Sequence, residues 1–231
     1  MRVAVDGPSG SGKSSVSKAL ATKHGWGYVD TGAMYRACAW FMVKNGVDVT
    51  DPSAVAARID EVDLSLGTDP ADPTISVGDV DVSSAIREVE VTDAVSSVSA
   101  VPEVRTRMVA VQRALADQLQ NERGGVIMEG RDIGSAVLTE APVKIFLTAD
   151  VEARAARRAA EDAEAGRNGG GDVGSTEQRL AARDQADSSR AASPLRQVDG
   201  AVEIDATFMT LDEVVAAADS LVQAQLDAGR V

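Results

Sequence analysis

The chain has 231 residues, enough for one domain with an ample core or a core carrying small insertions. It is 44% hydrophobic and 26% charged, an ordinary globular composition, and its net charge of −13 argues against nucleic acid or an acidic membrane as a whole-surface partner. One cysteine, Cys38, excludes an internal disulfide framework, and no apolar run approaches the roughly 20 residues of a membrane span.

The start MRVAVDG leads straight into a strand with no signal peptide ahead of it, so a cytoplasmic protein is expected. Arg2 to Asp6 reads as a buried parallel strand. From Gly7 to Ser14 follows G-x-x-x-x-G-K-S, with an apolar run before it and a helix pattern (Val16, Ala19, Leu20, Lys23) after it, closed at Gly25. Tyr28–Asp30 predicts a second strand, Thr31-Gly32 a polar turn, and 33–44 a helix with Met34, Ala37, Cys38, Phe41 and Met42 inward. Cys38 on that face is a small core residue. Residues 51–61 predict a short helix. Three brief alternating strands (64–66, 74–77, 80–82) with turns at 67–70 and 78–79 then predict a small antiparallel insertion, either a substrate cover or a passive decoration.

Helices are predicted over 86–98 and, opened by Pro102, to about residue 121, with Val104, Met108, Val111, Leu115 and Leu119 buried. Val126–Met128 is a strand ending in Glu129-Gly130-Arg131-Asp132, Val143–Leu147 another, and 151–164 a helix rich in Ala, Arg and Glu. Five glycines between 166 and 174 cannot pack into a core and predict a mobile stretch. A helix over 176–186, a strand over 201–204 and a final helix opened by a Thr210–Glu213 capping box complete the chain. Strands alternating with helices predict an α/β fold, a parallel sheet with helices on both faces, and ligands bound beyond the carboxyl ends of the strands. Three charged clusters lie at those ends.

The loop of Gly7, Pro8, Ser9, Gly10, Ser11, Gly12, Lys13, Ser14 and Ser15 has the chemistry of a phosphate cradle. Its glycines let successive N–H groups turn toward one anion, the helix N-terminus adds positive potential, Lys13 brings a full charge, and Ser14 can ligate Mg²⁺. The plain alternative is a Gly/Ser turn with a chance lysine. Switch-GTPase signatures are absent, since no Asp lies three residues before a Gly and no Asn precedes a Lys; a motor ATPase has little room for a coupled domain. Residues 154–196 hold eight arginines and no lysine, as a phosphate-binding lid or a solvated helix face would. As a closing lid, this segment brings Arg157, Arg158 and Arg183 to the transferring phosphate. His24, at a helix end, reads as solvated or capping.

Together, the loop, Asp30-Thr31-Gly32-Ala33-Met34-Tyr35-Arg36, Glu129-Gly130-Arg131-Asp132-Ile133-Gly134, Ala141–Leu147 and Arg183-Asp184…Arg190…Ser193-Pro194-Leu195 resemble the bacterial cytidylate kinases over essentially the whole chain. The resemblance implies a P-loop kinase core, an NMP-binding insertion at 62–90 and a lid at 157–185, acting as a monomer on ATP, Mg²⁺ and CMP or dCMP. It further implies that Arg36 and Arg131, helped by Arg190, hold the CMP phosphate, and that Ser96, Arg105 and Asp132 read the cytosine edge. Asp187 and Arg183 would meet the sugar hydroxyls, although Arg183 equally suits phosphate. Asp30 would orient water on Mg²⁺, and Thr31 keeps the hydroxyl of the family's usual Ser. The glycine content of 166–174 exceeds the family's pattern. Competing readings are a kinase of the same build with UMP, AMP or a small metabolite as acceptor, and a nucleotide-sensing protein that hydrolyses ATP slowly.

Overall fold

A computed structural model describes residues 1–164, 173–190 and 192–229. Its centre is a five-stranded sheet in which every pairing is parallel: β1 (Arg2–Asp6), β2 (Gly27–Asp30), β6 (Val126–Gly130), β7 (Val143–Thr148) and β8 (Val202–Asp205), in the order β2-β6-β1-β7-β8. Between β2 and β6 the chain forms a second, three-stranded antiparallel sheet from β3 (Leu64–Leu66), β4 (Ile75–Val77) and β5 (Val80–Asp81). The helices are α1 (Lys13–His24), α2 (Thr31–Lys44), α3 (Pro52–Arg58), α4 (Val89–Ala100), α5 (Pro102–Arg123), α6 (Val151–Glu164), α7 (Val173–Ser189) and α8 (Leu211–Asp227).

Strand periodicity divides the interior into two cores. Val3, Val5, Tyr28, Ile127, Ile145 and Ile204 pack with Val16 and Leu20 of α1 and Val214, Ala218 and Val222 of α8. The alternate residues Ala4, Val29, Val126 and Met128 pack with α2, α4 and α5 on the other face. Val62, Ile75, Val77, Val82 and Ile86 of the insertion belong to this second core, so the small sheet is built into the body of the protein. Cys38 is buried there, 3.6 Å from the Met108 sulfur, and burial pushes its thiol up to about 12.

Several local readings change. Thr31 and Gly32 form the first turn of α2 instead of a separate turn, because Asp30 caps the helix by accepting the Ala33 N–H at 2.8 Å. The segment read as one helix from 86 begins as a 3₁₀ turn, Ala85–Arg87, and is broken at extended Glu88 before α4. His24 is packed, stacked on Trp26 at 4.4 Å and paired with Asp219 at 2.8 Å. Most of the glycine-rich stretch and part of the predicted lid lie outside the described residues. Among those described, no helix is long and apolar enough to cross a membrane.

One buried carboxylate fixes the edge of the sheet where the charged clusters meet. Asp6, at the end of β1 and 6% exposed, accepts the N–H groups of Ile133 at 2.7 Å and Gly134 at 2.8 Å. This holds the single π-helical turn Ile133–Val137 against β1 and aims Arg131 and Asp132 along the strand ends. Burial raises the Asp6 carboxyl to about 6, against the pull of those two N–H groups. A folded value above the ordinary 3.8 means the native state holds this proton more tightly than the unfolded chain. Its stabilising share is therefore complete below about 3.8 and lost as pH rises through about 6. The spread corresponds to roughly 3 kcal/mol. Denaturant unfolding across pH should show the stability difference between wild type and Asp6→Asn falling over that window and level above it; a difference independent of pH contradicts the assignment.

Candidate active site

The loop between β1 and α1 takes its shape from its neighbours. Gly7, Gly10 and Gly12 have φ of 150°, 77° and 92°. A Cβ on Gly7 would stand 2.0 Å from the Leu147 carbonyl oxygen of β7, and one on Gly10 would stand 3.1 Å from that of Arg154. Glycine is therefore needed at both positions. Gly12 caps α1 with no side-chain acceptor, leaving the first N–H groups of the helix to a ligand. Lys13 is buried, and its ammonium donates to the Pro8 carbonyl at 2.7 Å. Burial and then Arg131 push it down to about 7, against the pull of Glu129 and Asp6. Ser11 donates to the same carbonyl at 3.1 Å, beneath the loop.

A cleft of about 490 Å³ opens over this loop and runs along the carboxyl ends of β1, β2 and β6. Ser9, Gly10, Gly12, Lys13, Ser14 and Ser15 line one end. Asp30, Thr31, Arg36, Ser96, Arg105, Arg131, Asp132, Arg158, Arg183, Asp187 and Arg190 line the remainder. Gly7, Pro8 and Ser11 support the loop from below. Arg157 alone among the predicted site residues points elsewhere, donating to the Ala206 carbonyl at 2.5 Å beyond β8. One step along α6 the helix turns Arg158 inward and Arg157 outward.

Most of the cleft's cations are held by carboxylates. Arg36 donates to Asp30 at 2.9 Å. Burial would raise the Asp30 carboxyl, but Arg36 and the Ala33 N–H outweigh it and lower it. Arg105 and Asp132 form a buried ion pair; Arg105 also donates to the Ser99 carbonyl at 3.1 Å and lies over the Tyr35 ring at 5.4 Å. Arg131 reaches the Gly7 carbonyl and donates to Asp187 at 2.7 Å; Arg190 lies 3.6 Å from the same carboxylate. Burial tends to raise the Asp187 carboxyl, but Arg131 and Arg190 prevail and lower it. Burial, then Arg131, draws Arg183 down to about 10. Tyr35 OH and the Nε atoms of Arg36, Arg105 and Arg190 are buried with no hydrogen-bond partner among the described residues. Three of these four atoms are guanidinium N–H donors and the fourth a hydroxyl, so an acceptor-rich ligand would satisfy them.

Thr31 donates to the Glu129 carbonyl at 2.7 Å, an approach that Gly130 permits because a Cβ there would be 2.6 Å from the Thr31 hydroxyl. Glu129, part of the charged cluster at the end of β6 but assigned no role of its own above, also lines the cleft. Its buried carboxylate accepts from Tyr28 OH and interacts with Ser14; burial and Asp30 raise it, while Lys13 opposes them. Ser14, Asp30 and Glu129 make an oxygen-only donor set, which fits Mg²⁺. Among the described residues no cluster of three His, Cys, Asp or Glu could hold a metal by itself.

The cytidylate kinase family model matches residues 3–224. Cytidylate kinases of Streptomyces avermitilis and Nocardia farcinica are 54% and 47% identical to the chain, covering 96% and 98% of it and 92% and 95% of those proteins. Among solved structures, an uncharacterized protein from Eubacterium ventriosum shares the fold with a TM-score of 0.51 at 12% identity, over 97% of this chain and 98% of that one. The chain belongs to the cytidylate kinase family.

Proposed function

We propose that the protein transfers the γ-phosphoryl group of ATP to the phosphate of CMP or dCMP, releasing ADP and CDP or dCDP. The observation that carries this reading is the cleft itself. A phosphate loop lies at one end, and at the other stand the Arg105–Asp132 and Arg36–Asp30 pairs, with the Nε atoms of both arginines buried and without partners among the described residues. Lys13 leaves the Pro8 carbonyl for the donor phosphates, and Arg158 and Arg183 face the transferring group. Arg157, which donates to the Ala206 carbonyl, leaves that role to Arg158 and Arg183. Arg36 and Arg131 hold the acceptor phosphate. Both already have carboxylate partners, so binding exchanges one anionic partner for another.

Asp132 accepts from the cytosine amine, with Ser96 beside it, and Arg105 donates to the ring acceptors. Uracil would set a carbonyl against Asp132 and leave buried groups unpaired, at about 1–3 kcal/mol each. Asp187 meets the sugar hydroxyls, with Arg190 assisting at the phosphate. Thr31 secures the turn that carries Arg36. Ser14, Asp30 and Glu129 would hold Mg²⁺, which supplies charge neutralisation between the phosphates. The acceptor phosphate is an anionic nucleophile at neutral pH, so one of its oxygens bonds to the γ-phosphorus as the bond to ADP breaks, and no general base is needed. Positioning and charge neutralisation supply the catalysis. A monomer in the cytoplasm, with the insertion on the nucleotide side and α6 and α7 as lid helices, completes the proposal.

Coupled assays with CMP, dCMP, UMP and AMP test the acceptor; CMP or dCMP should give the highest kcat/KM, and a preference for UMP or AMP refutes the reading. Lys13→Ala should lower kcat about a hundredfold or more with the melting temperature preserved. Asp132→Asn should raise KM for CMP about tenfold or more and leave KM for ATP within about twofold; equal losses would remove its base-reading role. Arg158→Ala should cost kcat about tenfold or more, whereas Arg157→Ala should stay within about threefold of wild type. The reverse order would place Arg157 in the transfer step.

A further inference from the structure

The phosphate loop is gripped from its outer side by two residues that the reaction scheme does not use. Arg154, near the start of α6, is 7% exposed. Its Nη1 donates to the Ser9 carbonyl at 2.9 Å and to Asp184 Oδ2 at 2.5 Å, while its Nε donates to the Ala149 carbonyl at 2.9 Å. Asp184, on α7, accepts the Ser9 N–H on its other oxygen at 3.3 Å. Both backbone groups of Ser9 are thereby held, the N–H by a carboxylate and the C=O by a guanidinium. The backbone and Cβ of Arg154 also lie where any side chain on Gly10 would have to go, at 3.1 and 3.2 Å.

Two features separate this arrangement from an ordinary buried ion pair. First, it engages the loop at the residue from which the chain enters the cradle. Ser9's N–H is consumed by the protein, so the N–H groups left for an anion are those from Gly10 onward, and their direction depends on how Ser9 is set. Second, Arg154 balances a carboxylate that would otherwise repel a phosphate nearby. Asp184 also lies three residues before Asp187, on one face of α7. That face touches the donor loop through Ser9 and the acceptor-side Arg131 through Asp187.

We propose that Arg154 and Asp184 are positioning residues for the donor nucleotide, a clamp that sets Ser9 and Gly10 so that the following N–H groups converge on the ATP phosphates. The proposal rests on the donor reading of the loop and adds two residues to it. Removing either partner alone leaves the other buried and unpaired, so single variants lose stability whatever their role. Replacing both with apolar residues, Arg154→Met with Asp184→Leu, removes that penalty.

Three quantities decide the matter: the melting temperature, the dissociation constant of ADP with magnesium by calorimetry, and KM for ATP and CMP. In the double variant the melting temperature should return toward wild type. ADP binding and KM for ATP should weaken about tenfold or more, with KM for CMP within about twofold. Wild-type ADP affinity in the stable double variant would reduce the pair to a structural one and overturn the proposal. Should the double variant fail to fold, Asp184→Asn decides: ADP binding weakened several-fold at unchanged KM for CMP supports the clamp, and unchanged ADP binding overturns it. Wild-type protein that binds no ADP would overturn both clamp and donor reading. Wild-type protein that binds ADP but does not phosphorylate CMP would overturn only the acceptor reading.

Discussion

Cations cannot be crowded into a partly buried cleft without counter-charge, and the site is organised around that constraint. Lys13, Arg36, Arg105, Arg131, Arg158, Arg183 and Arg190 line one cleft of a protein whose net charge is −13. Burial pulls Lys13 to about 7 and Arg183 to about 10, the mark of positive groups short of solvation. The protein meets this with a set of paired carboxylates: Asp30 for Arg36, Asp132 for Arg105, and Asp187 for Arg131 and Arg190. Each pair keeps a guanidinium in place at modest cost, and each arginine offers further N–H groups beyond the one its partner uses. A phosphate therefore meets preset donors instead of having to order free side chains.

The sheet supplies the register for this arrangement. Parallel pairing sets Asp6 against Gly130 and Asp30 against Glu129, so the chemistry-bearing residues of three strands fall at one height. Asp6 holds the turn after β6, Thr31 ties α2 to Glu129, and Arg131 reaches back to Gly7. These are short links between rigid elements, which is why the loop, the first turn of α2 and the end of β6 act as one surface. Glu129 sits deepest in it, held by Tyr28 from a neighbouring strand. Two carboxylates side by side, buried Glu129 and partly buried Asp30, raise the site's affinity for positive charge. Lys13 answers part of that demand, and a hard divalent ion would answer the rest.

Much of this was legible in the amino-acid order, for reasons that differ from element to element. The parallel strands could be read because strands covered on both faces are continuous apolar runs, and the loop because glycine spacing and Lys13 carry its chemistry locally. The antiparallel insertion was legible from alternation and turn residues, but its membership of the main core was not. Val62, Ile75 and Val82 look the same in sequence whether they pack on α2 or on each other. Long-range pairings left weaker traces. Nothing near Asp6 announces that it receives two N–H groups from residues 133 and 134, and nothing near Arg154 announces Asp184, since partners more than a hundred or about thirty residues apart share no local pattern. That Arg157 and Arg158 turn to different sides of α6 is a distinction of the same kind. Both lie on a helix rich in Ala, Arg and Glu, and only the tertiary position of α6 shows which one faces the cleft.

In the proposed reading, recognition and transfer fall on elements of different kinds. The base-reading residues stand on α4, α5 and the end of β6, among the buried side chains of the larger core. Arg105 and Asp132 are among the least exposed charged residues of the protein, at 5% each. Their geometry is thus set by packing, which suits a site that must tell an amine from a carbonyl at one ring position. Arg158, Arg183 and Arg190 stand on or beside α6 and α7, which pack on each other and meet the phosphate loop through Arg154, Asp184 and their grip on Ser9. A phosphate can stand in for the acidic partner of an arginine in such pairs, whereas nothing in a ligand replaces core packing. On that proposal, base discrimination rests on the most buried elements and charge neutralisation on those whose contacts a phosphate can replace.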